Sequence, residues 1–365
     1  MKRFILVLLV AAGALLAFSW RDGELLSPLV LGDKRVAKDR DYKTVGFLPT
    51  WMIGKTMEYC EEIDELIFLG VEVDEEGDLV WDVQGKKLKG EIYLKQKKRI
   101  KECGGRNVLG IKQFDDEKLK KIISNKEVRE NLIKQVKSEV DSGGFDGVNV
   151  DFEYQRNPFA VLEKDFVSFL KDLREAGVGE VSLDVFANTV IKGDGEALKE
   201  LVGNLDSLIV MAYDFHRPSS LNAGPVAPIG SEPGKRNILE ITQKVVESQL
   251  DKEKVVLAYP LYGYEWKTET DEYGAKTRKW SAMASYKRVK ELLGGNEEII
   301  ANLDEVSMTP WLTYEKGKDI FQIYYEDLRS LKVKIDLAKQ TQLGGVGFWA
   351  LGYEGEDGEL WAELL

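Results

Sequence analysis

The stretch that most constrains this chain is Gly143-Gly144-Phe145-Asp146-Gly147-Val148-Asn149-Val150-Asp151-Phe152-Glu153. Side chains alternate along a strand, so Val148, Val150 and Phe152 share one face and Asn149, Asp151 and Glu153 the other. Long helical patterns flank the run on both sides, which places it in a parallel sheet, where both faces of a strand are expected to be apolar. A solvated edge strand would also alternate. A buried ladder of carboxylates, however, is costly unless it has a task, and the ladder is therefore read as the floor of a site.

From Thr44 onward, short β-rich runs alternate with amphipathic helical runs. The strands are expected at 44–48, 66–73, 108–111, 147–152, 181–186, 208–212, 255–259 and 345–348, and the clearest helices at 116–140, 158–176, 237–250 and 327–340. Eight βα units favour a closed parallel barrel over an open doubly wound sheet. The rhythm breaks twice. Asp74-Glu75-Glu76-Gly77-Asp78 reads as a hairpin turn after the second strand, and some eighty residues separate strands seven and eight. That interval reads as a small α+β insertion over about 266–325. The fold class is thus α/β, a (β/α)8 TIM barrel with this insertion, in a chain of 365 residues that can accommodate it.

The formal charge is −12, with 63 acidic against 51 basic residues. Such a chain has no electrostatic footprint for nucleic acid. Residues 1–19, with Lys2 and Arg3 before the apolar run Phe4 to Phe18 and a small-x-small site at Ala17-Phe18-Ser19, read as an export signal or, uncleaved, as an N-terminal membrane anchor. Residues 20–42 read as a linker, leaving 43–365 for the barrel. The expected location is secreted or cell-envelope. Cys60 and Cys103 each fall about five residues before a strand, near one rim of the barrel, and form at most one bridge.

Barrel chemistry sits at the C-terminal ends of the strands. Those ends carry Asp151 and Glu153, Met211-Ala212-Tyr213-Asp214, Tyr259-Pro260-Leu261-Tyr262-Gly263 and Phe348-Trp349. Carboxylates beside aromatic platforms suit glycoside cleavage, with an acid for the leaving oxygen and flat rings for sugar faces. Asp151 and Glu153 lie two apart on one strand, with stems roughly 7 Å apart and parallel. They cannot flank one scissile bond, so the nucleophile must come from elsewhere. His216 with Asp214 and Ser219 or Ser220 would be a poor triad, because no nucleophile elbow is present. Asp115-Asp116-Glu117 reads as a helix start rather than a calcium loop.

The run from Asp146 to Glu153 resembles the D-G-x-D-x-D-x-E signature of glycoside hydrolase family 18, the chitinase family. Met211-Ala212-Tyr213-Asp214 is similar to that family's M-x-Y-D, Pro260 to Gly263 to its strand-seven segment, and Gly345 to Trp349 to its last strand. The resemblance implies that Glu153 is the proton donor. Asp151 would hold the acetamido N–H, Tyr213 would donate to the acetamido oxygen, and Asp214 would help orient that group. Trp349 would floor the sugar subsite, with Asn149, Trp51, Tyr262 and Met211 as further substrate-binding residues and Asp146 structural.

Two departures stand out. Asn149 stands where the family has its middle Asp, which removes one charge from the ladder and, with it, an acid that in many members shares a proton with the next one, and Gly110-Ile111-Lys112-Gln113 replaces the usual S-x-G-G of strand three. The second departure, with Gly224 to Ile229, is closer to the bacterial branch of spore-cortex and peptidoglycan hydrolases than to chitinases proper. The expectation is a monomeric retaining β-N-acetylglucosaminidase on a polysaccharide containing N-acetylglucosamine, without cofactor or metal. A sugar-binding, catalytically weak barrel is the alternative, and Glu153 argues against it.

Overall fold

The computed structural model describes residues 42–54, 60–295, 298–355 and 358–365, together with the backbone of Leu6–Ala11, Ala14–Arg21 and Glu24–Leu26. The chain divides into two units, 1–41 and 42–365. In the first, the three short strands pair antiparallel in sequence order. The export-signal reading of 1–19 and the linker reading of 20–42 fall partly outside the described residues. Among the described residues no helix is long and apolar enough to cross a membrane.

The second unit is a closed parallel barrel. Its strands are β1 Lys43–Pro49, β2 Glu65–Val73, β3 Arg106–Gln113, β4 Gly147–Phe152, β5 Glu180–Phe186, β6 Ser207–Met211, β7 Val255–Pro260 and β8 Gly345–Trp349. Each pairs with its sequence neighbours, and β8 pairs with β1 to close the ring. All eight expected strands are present. The turn after β2 returns as the short antiparallel strand Leu79–Val80.

One expected helix is corrected: the pattern at 116–140 is two helices, Asp116–Ser124 and Lys126–Gly143, separated by Asn125. The Asn125 side chain accepts from the backbone N–H of Glu127 and of Val128, so it caps a new helix rather than continuing the old one. The apolar period runs through the break, which is why periodicity alone does not reveal it. The helix expected at 158–176 starts later, at Lys164, after a short 3-10 turn at Ala160–Leu162.

Glycine sets up β4 at both ends of its approach. Gly144 ends the preceding helix at φ +65°, a left-handed conformation that costs other residues energy. At Gly147 a Cβ would lie 2.2 Å from the carbonyl oxygen of Glu180, so only glycine lets β4 and β5 approach this closely. Beyond it, Val148, Val150 and Phe152 face outward, Phe152 stacking on Phe169 of the helix Lys164–Glu175 at 5.9 Å.

The barrel interior is layered. At the bottom, buried Glu65 meets Lys43 at 3.4 Å and Arg106 at 3.3 Å; Arg106 also pairs with Glu180, and Lys43 donates to Ser207 Oγ at 3.0 Å. Above this plug lies an apolar layer of Val45, Phe47, Ile67, Val108, Ile209, Val256 and Ala258. The polar ladder of β4 opens above that. Near the bottom rim Cys60 and Cys103 are joined in a disulfide, their Cα atoms 5.9 Å apart. A second buried ion pair, Lys334 with Glu326 at 2.7 Å, lies under the helix Leu328–Gln340. Both side chains are essentially without exposure.

Between β7 and β8 the chain forms a five-stranded antiparallel sheet from Tyr262–Thr268, Thr277–Ser285, Ile299–Asp304, Thr309–Lys316 and Asp319–Tyr324, with the helix Tyr286–Leu293. Its first strand leaves the barrel only one residue after β7. That tight junction turns Tyr262 and Tyr264 back toward the barrel mouth.

Candidate active site

A cleft of about 790 Å³ opens at the C-terminal ends of the barrel strands. Among the described residues, its carboxylates are Asp151, Glu153, Asp184 and Asp214. Trp51, Met211, Tyr213, Tyr262 and Trp349 also line it. Eight of the ten residues singled out above therefore line one cleft, and Asn149 is bonded to a ninth lining group, Asp184. Asp146 lies elsewhere. It sits at the start of β4, where its Oδ2 accepts from Asn107 N at 2.7 Å and its Oδ1 meets Lys101, ties that fix β4 to its neighbour.

Glu153 follows β4, and its Oε2 accepts from Gln155 Nε2 at 2.8 Å. The Gln155 backbone is in turn held by the Asp116 carboxylate, which accepts from Gln155 N and Arg156 N at 2.8 and 3.0 Å. Burial raises the Glu153 pKa, and the nearby Asp214 adds to this, against the lowering influence of Gln155 and Arg217. Burial thus favours the protonated form of Glu153. Asp151, two residues back on the same face, is pushed well above the ordinary carboxylate range by burial first, then by Glu153 and Asp184; Lys112, its neighbour on β3, works the other way.

Asp214 follows β6 with φ +60°. Its Oδ1 accepts from Tyr262 Oη at 2.6 Å and from Tyr264 Oη at 2.9 Å. These two bonds fix one carboxylate oxygen. Tyr213 is packed between the apolar layer of the barrel and the aromatic cluster of the inserted sheet, as is Trp349. Trp349 meets Phe47 and Trp51 edge-on, at 5.8 and 6.3 Å between ring centroids. Trp51 is 45% exposed, so its ring is available to a ligand entering from solvent.

Asn149 is fully buried. Its Nδ2 donates to Ser182 Oγ at 3.1 Å and to Asp184 Oδ1 at 2.9 Å. Asp184 was not anticipated from sequence, although Val181-Ser182-Leu183-Asp184-Val185 alternates in the same way as β4 and carried the signal. Tyr264 and Gln155 were also not anticipated, and nothing in their local sequence separates them from packing residues. His216 is turned away from any triad: its Nδ1 lies 2.7 Å from the Pro225 carbonyl oxygen, while Asp214 is engaged by the two tyrosines. Asp115 caps the helix Asp116–Ser124, accepting from Glu117 N and Lys118 N.

A family model described as Glycosyl hydrolases family 18 matches residues 44–354. The cortical fragment-lytic enzyme of Bacillus subtilis is 23% identical over 251 residues, covering 66% of this chain and 54% of its own length. Chitinase B of Serratia marcescens is 24% identical over 289 residues, covering 60% of this chain and 57% of its own. The chain thus spans about half the length of these curated relatives. In fold, it matches the Group IV chitinase of Ostrinia furnacalis in complex with allosamidin at a TM-score of 0.74 and 18% identity, over 89% of this chain and 98% of that one.

Proposed function

The chain belongs to the glycosyl hydrolases of family 18, and from that premise we propose that it is an exported glycosidase cleaving β-1,4-linked N-acetylglucosamine-containing glycan, of peptidoglycan or chitin type, with retention. The nucleophile is the substrate's own 2-acetamido oxygen. Family 18 is itself the known substrate-assisted exception to the two-carboxylate schemes, so the mechanism is expected rather than new.

One arrangement supports the reading: among the described residues, every cleft carboxylate other than Glu153 either shares its strand face or is engaged by another side chain, which leaves none to attack the anomeric carbon from the opposite face. Asp151 shares a strand face with Glu153, Asp184 is bonded to Asn149 in the layer below, and Asp214 is held by two tyrosine hydroxyls. Glu153 protonates the leaving oxygen. Asp151 receives the acetamido N–H, Tyr213 donates to the acetamido oxygen, and Asp214 helps orient the group over Trp349. A pre-oriented intramolecular nucleophile gains a large effective molarity. Once the leaving sugar departs, Glu153 acts as base toward the incoming water, whose attack restores the β configuration.

An NMR time course on chitotetraose and cellotetraose tests this. The first product from chitotetraose is expected as the β anomer and cellotetraose is expected to be inert. An initial α anomer, or comparable cleavage of both, overturns the mechanism.

A further inference from the structure

Among the described residues, three cations line the cleft: Lys112, Arg217 and Arg236. Two of them face carboxylates. Arg236 is paired with Glu240, and Lys112 lies in register with Asp151 across the β3–β4 pairing. Arg217, to which the glycosidase reading assigns no contact with substrate, has no ion-pair partner among the described residues. Its Nε donates to the Asp214 carbonyl oxygen at 3.3 Å, and its guanidinium lies 5.9 Å from the ring centre of Phe186, the last residue of β5. The backbone beneath it is fixed. Arg217 N donates to Ser220 Oγ and Ser220 N to Arg217 O, each at 2.9 Å, and the Ser220 carbonyl oxygen accepts from Thr277 Oγ1 of the inserted sheet at 2.6 Å. A guanidinium anchored by its Nε on a pinned loop keeps two terminal amino groups to offer, an arrangement that suits a carboxylate.

The place of Arg217 selects which part of a glycan it meets. In a closed ring of eight strands β5 stands opposite β1, so Phe186, with Arg217 over its ring, lies across the cleft from the wall of Phe47, Trp51 and Trp349, where the retained sugar is placed. Arg217 is also close enough to Glu153 for its charge to act on that carboxyl. The oxygen that Glu153 protonates is O4 of the leaving sugar, and C3 of that sugar is the neighbouring carbon. A substituent on O3 of the leaving sugar therefore projects beside Glu153, whereas C3 of the retained sugar adjoins the next linkage, away from the scissile one. In chitin O3 is a hydroxyl; in N-acetylmuramic acid it carries a lactyl ether that ends in a carboxylate, free or extended by a peptide. We propose that Arg217 is a specificity-determining residue that binds the carboxylate carried by a 3-O-lactyl group on the leaving sugar, so that the preferred bond joins N-acetylglucosamine to N-acetylmuramic acid. Burial favours the neutral forms of Asp151, Glu153 and Asp184, which limits the repulsion an anionic glycan meets in the cleft. The inference rests on the glycosidase reading and chooses the peptidoglycan type within it.

The test compares alternating tetrasaccharides of N-acetylglucosamine and N-acetylmuramic acid that differ only at the lactyl end: the free acid, its methyl ester, the lactyl-alanine acid and its methyl ester. Relative kcat/KM values are read by chromatography and mass spectrometry at one pH, so that any effect of Arg217 on Glu153 cancels in each acid-to-ester ratio. In the wild type at least one acid should exceed its ester by about tenfold, the scale of a charge-assisted hydrogen bond. Which acid does so identifies whether the bare lactyl group or the peptide supplies the carboxylate. In Arg217→Gln that ratio should fall to about one. An undiminished ratio in the variant, or products that end in muramic acid rather than N-acetylglucosamine at the new reducing end, overturn the proposal. Should Arg217→Gln not fold, the wild-type ratio decides through salt: it should fall several-fold between about 0.05 and 0.5 M ionic strength, and a ratio indifferent to salt overturns the proposal. A wild type that cleaves the esters and chitotetraose but does not favour either acid defeats this inference alone. One that cleaves none of these substrates defeats the glycosidase reading, and this inference with it.

Discussion

Replacing Glu153 with Gln removes a proton and little else. The Glu153 Oε2 accepts from Gln155 Nε2 at 2.8 Å, and the carbonyl oxygen of a glutamine can accept the same bond, so the side chain keeps its place. The amide then occupies the space of the carboxyl's second oxygen. What is lost is general acid catalysis of leaving-group departure, about 10²- to 10⁴-fold, or about 3–5 kcal/mol of transition-state stabilisation. Burial favours the protonated form of Glu153, and the loss is read at the pH of highest wild-type turnover. The assay compares chitotetraose with a dinitrophenyl N-acetylglucosaminide, whose leaving group needs no protonation. Turnover of the first should fall by the stated factor, and the glycosylation step of the second should fall far less. Equal losses on both substrates, or near-normal rates on chitotetraose, would refute the assignment of Glu153 as the acid.

Gln155→Leu removes the hydrogen bond that favours ionised Glu153; in the proposed mechanism the protonated form is the active one, so the alkaline limb of kcat/KM should move to higher pH, and an unmoved or lowered limb in a pH–rate series would count against it. The Cys60–Cys103 bridge spans 43 residues in sequence, and its loss in a double Ser variant should cost about 4 kcal/mol in chemical denaturation by the chain-entropy estimate; a loss below about 1 kcal/mol would contradict it. Glu326→Gln leaves buried Lys334 without its counter-charge and should destabilise by about 3–5 kcal/mol. The paired change with Lys334→Met should recover part of that, and equal urea midpoints for Glu326→Gln and the wild type would show the pair to be dispensable.

The barrel was legible because its strands are short apolar runs between amphipathic helices, and the eight expected strands agree with the structure to within about two residues at either end. The break at Asn125 was hidden because the apolar stripe continues across it; only the capping preference of asparagine hinted at a new start. On β4 the polar ladder was conspicuous because acids in a buried strand are rare. The same alternation in Ser182 and Asp184 is shorter and carries one acid, and its meaning depends on β5 lying against Asn149, a relation between strands rather than within one. Likewise Tyr264 reads as an ordinary aromatic in a β-rich run, and it reaches Asp214 only because the inserted sheet turns back immediately after β7.

That turn gives the inserted sheet a mechanical bearing on the chemistry. Tyr262 and Tyr264 belong to the same strand as Trp266, whose ring is locked among Trp311, Tyr324 and Tyr264, yet their hydroxyls end on a barrel carboxylate. The sheet is consequently a strut as well as a wall. Trimming it to widen the cleft, or exchanging it for the corresponding segment of another barrel, would unload Asp214 even if every barrel residue were kept. A transplant that preserves function has to carry both hydroxyls at the same height.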